Sequence, residues 1–188
     1  MTRRNELAES PTAPHVALAG MPKAGKSALA KLLRAHSFNV VSMSSLLHGL
    51  IDPAAAQPQW RSLNDLALVL RATDGPDAIA RRALAALDTT FPRTCFDGVR
   101  SLAEVACLRR ALGNVRLVFI HSSPTARYAR LLDEDGPIVS QSEFTAIDMH
   151  NIGLGVGEVA AMADFVVVDH PGHHPERQLE EILCALDE

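Results

Sequence analysis

Apolar residues in this chain alternate between two spacings, and the points where the spacing changes mark its elements. Nearly continuous apolar runs occupy residues 16–19, 39–43, 94–99, 115–121 and 165–169. Each has strand length, and such runs suit parallel strands covered on both faces. Between them the spacing becomes helical. Leu63, Leu66, Ala67 and Leu70 follow i, i+3, i+4, i+7, as do Leu179, Ile182, Leu183 and Leu186. Ile79, Ala83, Leu84 and Leu87 mark another helix, opened by Pro76 after Asp74-Gly75. Residues 28–35 are rich in Ala, Leu, Lys and Arg, as a helix is. Ser101 with Glu104 makes a capping-box pattern, and Ser123-Pro124 opens the next helix in the same style. Strands alternating with helices predict an α/β fold, a five-stranded parallel sheet with helices on both faces.

Two stretches break the alternation. Residues 44–72 include a Pro- and Ala-rich part and are too long for a simple crossover, so an insertion beside the sheet is expected. Residues 131–143 form a short acidic connector containing Gly and Pro. Ligands of open α/β sheets sit beyond the carboxyl ends of the strands, where both stretches can overhang.

Composition narrows the partners more than the fold. The chain has 188 residues, 47% hydrophobic and 21% charged, enough for one domain over 15–188. Residues 1–14 carry Arg3 and Arg4 with no apolar stretch behind them, which suits a flexible tail better than a signal peptide. A net charge of −4 gives no basic footprint for nucleic acid. No apolar run approaches the ~20 residues of a membrane span. Cys95, Cys107 and Cys184 are far apart among apolar neighbours and read as buried free thiols of a cytoplasmic protein. There is no visible repeat, and nothing indicates the oligomeric state.

The chemistry concentrates in Gly20-Met21-Pro22-Lys23-Ala24-Gly25-Lys26-Ser27, which fits G-x-x-x-x-G-K-[ST] without mismatch. This phosphate-binding loop lies between the first strand and a helix beginning near Ala28, the context it requires. Glycines let successive backbone N–H groups turn inward around a phosphate. Lys26 is then expected to reach the β- and γ-phosphates of ATP, and the Ser27 hydroxyl to hold Mg²⁺. Lys23 either adds a cation near the γ-phosphate or points to water. Asp97, at the end of the third strand, has the position of a second Mg²⁺-organising group, with a turn or capping aspartate as the plain alternative. Arg100 suits a bound phosphate or carboxylate, or else a surface ion pair. Arg127 and Arg130 share a helix face and either meet the triphosphate or solvate that face. Arg71, which ends the insertion's helix, is the best functional candidate among Arg71, Arg81 and Arg82. His121 ends the fourth strand and either lines the crevice or belongs to the core. His170, His173 and His174 lack the spacing of a zinc site and suit an exposed loop.

Taken together these motifs resemble an archaeal-type family of P-loop proteins similar to adenylate kinase and dephospho-coenzyme A kinase. The resemblance covers roughly residues 15–170. It rests on residues 20–27, on Leu70-Arg71 with residues 75–80, and on Asp97-Gly98-Val99-Arg100-Ser101 with Glu104-Val105. Arg127 with Arg130, Asp148, Gly157-Glu158-Val159 and Ala163-Asp164 complete it. It implies that residues 44–72 bind the acceptor, that 131–143 form the lid, and that 169–172, with His170, touch the donor base. It also implies catalytic parts for Lys26, Asp97, Arg100 and Arg127.

Departures from that pattern are informative. Where such kinases carry Gly-Asp-x-x-Arg, this chain has Ser44-Ser45-Leu46-Leu47-His48. Its lid reads Leu132-Asp133-Glu134-Asp135-Gly136 in place of an Arg-rich one, and its later Arg-Asp pair is Ile147-Asp148. With His48 and hydroxyls in place of a guanidinium, ordinary nucleoside monophosphates are expected to be poor acceptors. The expected function is ATP-dependent phosphoryl transfer to a small nucleotide- or nucleoside-like acceptor. The alternative is a nucleotide-binding switch or partner protein, or a slow NTP hydrolase with degenerate acceptor and lid sites.

Overall fold

The computed structural model describes residues 14–51, 59–133, 139–169 and 175–186. Its strands are β1 (His15–Gly20), β2 (Asn39–Ser42), β3 (Thr94–Val99), β4 (Val115–His121) and β5 (Phe165–Val168). They form one parallel sheet in the order β2-β3-β1-β4-β5, as the alternating pattern predicts. The helices are α1 (Lys26–Ala35), α2 (Met43–His48), α3 (Gln59–Asp74), α4 (Ala78–Ala85), α5 (Leu102–Leu112), α6 (Pro124–Leu132), α7 (Gln141–Gly153), α8 (Val156–Ala161) and α9 (Pro175–Leu186).

The two-residue period of β1 divides the core. Val16 and Leu18 face α1 and α9, packing with Leu29, Leu33, Leu179 and Ile182. Ala17 and Ala19 face the other way, toward Met43 and Leu47 of α2, Ala67 of α3, Ile79 of α4, Leu108 of α5 and Val159 of α8. Burial of this kind contributes about 1.5–3 kcal/mol for each large side chain. It is what holds helices to both faces of the sheet.

Local chemistry explains where expectation and structure part. β2 stops at Ser42 because its hydroxyl accepts from Ser45 N at 3.3 Å and starts α2 at once. The connector expected over 131–143 is cut at both ends. α6 runs to Leu132, and α7 begins at Gln141 behind a full capping box between Ser140 and Glu143. At Ser101 only half of the expected box forms: the hydroxyl accepts from Glu104 N, but the Glu104 carboxylate turns inward. Pro14, assigned to the tail, is buried. Cys95 and Cys107 are buried as expected, whereas Cys184 is exposed. The rest of the tail, the Pro-rich part of the insertion, residues 134–138 of the lid, and His170, His173 and His174 lie outside the described residues. Among the described residues no helix is long and apolar enough to cross a membrane.

Candidate active site

The strand order creates the crevice. From β1 the chain passes to β2, two places away, and β3 returns to fill the gap; it then crosses to β4 on the far side of β1. Chain direction therefore diverges around the carboxyl end of β1, where the phosphate loop begins. Asp97 ends up beside it, because Leu18 of β1 pairs with Asp97 and Ala19 with Val99, Gly98 being skipped in the register.

Two glycines make the loop possible. At Gly20 (φ 151°) an added Cβ would lie 2.6 Å from the Ile120 carbonyl oxygen of β4, closer than any side chain tolerates. Gly25 (φ 99°) is the N-cap of α1, with no side-chain cap, so the first N–H groups of that helix open toward the loop. Lys23 also takes a left-handed backbone (φ 63°). Ala24 is buried beneath, while Ser27 and Ala28 are exposed at the mouth.

Lys26 crosses the loop from within. Its Nζ donates to the Gly20 carbonyl at 3.0 Å and to that of Met21 at 2.9 Å. Burial lowers its pKa to about 8; Asp97 acts against this, while Arg100, Arg127 and Lys23 push it further down. Burial also raises the Asp97 carboxyl above the usual range, with Lys26 opposing. One Asp97 oxygen, Oδ1, is buried without a hydrogen-bond partner. An acceptor left in that state suits a cation or a hydroxyl donor. Asp97 and the exposed Ser27 line the same cleft, so the two residues fit a magnesium ion. Among the described residues no cluster of three or more His, Cys, Asp or Glu is placed to hold a metal by itself.

Two clefts meet at Lys26 and Ser27. One, about 520 Å³, lies over the loop and is lined by residues 23–28 with Arg130 and Asp169. The other, about 190 Å³, runs toward α2 and α3 and is lined by Asp97, Arg71, Arg100 and Glu104 among others. Arg100 Nη1 donates to Asn151 Oδ1 at 2.7 Å and to Asn64 Oδ1 at 3.3 Å. Burial, and then the neighbouring Arg71, lower the Arg100 pKa. The fully buried Glu104 accepts from Arg71 Nη2 at 2.7 Å and from the Arg100 backbone N–H at 2.8 Å. Arg71 Nε and Nη1 are buried without partners.

The loop residues Lys23 to Ala28, Asp97, Arg100 and Arg130 therefore converge on the two clefts. Arg127 does not line either. It is buried, and its guanidinium makes a bidentate bond to Asp148 (2.7 and 2.6 Å) while also donating to the Ser122 and Pro22 carbonyls. That uses four of the five donors an arginine has, so this side chain braces the loop. Arg130 donates to Lys23 O at 3.0 Å and pairs with Asp169 at 2.8 Å. His48 is exposed and outside the lining of the second cleft, where Ser44 is present; its guanidinium groups come from Arg71 and Arg100 instead. His121 is exposed too. His170 lies outside the described residues. Sequence reasoning missed Asn64 and Asn151, and placed Glu104 in a capping box and the family pattern without a part in the site. Glu104 had left one signal, an acid within the apolar stripe of α5 beside Val105 and Leu108.

No family model matches the chain. A UPF0200 protein of Saccharolobus islandicus is 36% identical over 174 residues, 89% of this chain and 90% of that protein. Among solved structures, shikimate kinase from Bacteroides thetaiotaomicron superimposes with a TM-score of 0.63 at 13% identity, covering 93% of this chain and 99% of that one. A gluconokinase from Sinorhizobium meliloti gives 0.54 at 16%, covering 95% and 94%. At such identities the structures show the fold, an α/β P-loop kinase-like domain, and they do not single out the adenylate or dephospho-coenzyme A kinases. The sequence relative goes further: this chain belongs to the UPF0200 family.

Proposed function

We propose that the protein transfers the γ-phosphoryl group of ATP to a small acceptor bound in the second cleft. The observation that carries this reading is the shared wall: Lys26 and Ser27 line both clefts, so a phosphate cradled on one side faces whatever the other side holds. The free N–H groups at the start of α1 orient the phosphates, and Lys26 neutralises charge as it moves. The Ser27 hydroxyl and the Asp97 carboxylate would hold Mg²⁺, which would supply charge neutralisation for the phosphates. The unmet Oδ1 of Asp97 also suits a hydrogen bond from an acceptor hydroxyl. Arg127 and Asp148 keep the loop in place.

The resemblance to adenylate kinase favours a nucleotide-like acceptor. The volume favours something smaller, since about 190 Å³ lies below the ~300–1,000 Å³ of common ligand pockets. Slow hydrolysis or a binding switch is the second reading, favoured by the pairing of Arg130 with Asp169 where an open cation would serve transfer better. Calorimetry with Mg²⁺-ATP, followed by coupled ADP release with and without acceptors, tests the proposal. Tight binding lost in Lys26→Ala, with release dependent on an acceptor, is the expected result. No triphosphate binding by the native protein removes both readings, and acceptor-independent release leaves only the second.

A further inference from the structure

The charges around Glu104 in the second cleft do not cancel. Arg71 and Arg100 bring two positive charges, and the buried Glu104 between them brings one negative. Asn64 and Asn151, the other partners of Arg100, are neutral. One positive charge is left over in a place with little water, and Arg71 Nε and Nη1 have nothing to donate to. In a residue that lines a cleft, such donors fit an anionic ligand. Leu47, Leu63, Ala67 and Ile79 give the same cleft an apolar wall. Asp97 Oδ1, in the same lining, lacks a donor.

Resting on the phosphotransferase reading, we infer that the acceptor is a small hydroxy acid. Its single carboxylate lies at Arg71 and Arg100, its carbon skeleton against the apolar wall, and its hydroxyl at Asp97. A carboxylate balances the one spare positive charge, whereas a phosphate dianion leaves a net negative charge beside a buried glutamate, which the low local dielectric penalises. In transfer, the hydroxyl oxygen forms the new bond to the γ-phosphorus. The bond from that phosphorus to the β–γ bridging oxygen breaks, its electron pair leaves with ADP, and the hydroxyl proton passes to an oxygen of the transferred phosphoryl group. Glu104 is a positioning residue: it touches no acceptor atom but fixes Arg71 and the Arg100 backbone.

The test is coupled ADP release with glycerate, gluconate, quinate, AMP and CMP as acceptors, alongside calorimetry of the same compounds with a non-hydrolysable ATP analogue and Mg²⁺. A hydroxy acid should exceed both monophosphates in kcat/KM and in affinity. Arg71→Gln, which keeps a hydrogen bond to Glu104, should raise the acid's KM or Kd roughly 10–100-fold with a much smaller change in kcat, as expected for lost ground-state binding. Arg71→Lys should recover part of that loss. Should Arg71→Gln fail to fold, Arg71→Gln with Glu104→Gln restores a neutral pair and must show the same weakened acid binding. Preferred phosphorylation or binding of AMP or CMP, no binding of any acid, or an unchanged KM in these variants overturns the inference. Turnover of monophosphates overturns the hydroxy-acid assignment alone, while ATP binding without any acceptor-dependent release overturns the phosphotransferase reading.

Discussion

Lys26 shows how one residue can be costly to the resting fold and required at the site. Its ammonium is held by two backbone carbonyls in a buried place that lowers its pKa from 10.5 to about 8. Below pH 8 the group is charged in both folded and unfolded chains, so the full burial cost is present. Between about 8 and 10.5 the folded chain releases the proton first, and the cost fades as pH rises. Lys26→Met should therefore raise the melting temperature of the nucleotide-free protein below pH 8, with the advantage shrinking toward pH 10.5. Thermal melts of both proteins across that range check this, and parallel profiles would refute it. A phosphate beside Lys26 reverses the shift. Binding of Mg²⁺-ATP at pH 8.5 should accordingly take up protons, seen as a dependence of calorimetric heat on buffer ionisation enthalpy and absent in Lys26→Met.

Between elements, the bidentate pair of Arg127 on α6 and Asp148 on α7 joins two helices to the underside of the loop. Removing one partner strands a buried charge, which typically costs about 3–5 kcal/mol, whereas replacing both by apolar residues can be near neutral. Asp148→Ala should lower the unfolding free energy from urea melts by an amount of that order, and Arg127→Met with Asp148→Leu should recover much of it. Equal destabilisation by single and double variants would show that the pair is no clamp. Neither member of such a pair advertises its partner. The strands could be read because each is a compact apolar run, and the loop because its motif is contiguous. Arg127 with Asp148, and Arg71 with Glu104, are joined only when helices pack, so the sequence left Arg127 undecided and set Glu104 down as a cap. α7 and α8 escaped notice because Phe144 and Asn151 are the buried residues of α7 and Val156 and Val159 those of α8, too few to write a period. His48 was expected at the acceptor by position alone, but α2 turns it outward and the cations arrive from α3 and the end of β3.

For the whole molecule, ligand and fold share one sheet, so occupancy should raise the stability of the entire domain. At a concentration 100 times its Kd, Mg²⁺-ATP adds about 2.7 kcal/mol, which for a domain of this size is a rise of roughly 5–10 °C. A single melting transition that moves as one unit is the expected scan. A shift of only part of the signal would mean that the loop region opens independently. The sheet order also governs how the chain can be made. β1 and β2 are not neighbours, and the slot between them stays empty until β3 arrives roughly fifty residues later. At about 5–20 residues per second on the ribosome that is a wait of roughly 3–10 s, with two apolar strands lacking their common partner. The emerging amino-terminal half is therefore a natural chaperone client, and it can complete its side of the sheet only after Val99 has cleared the exit tunnel.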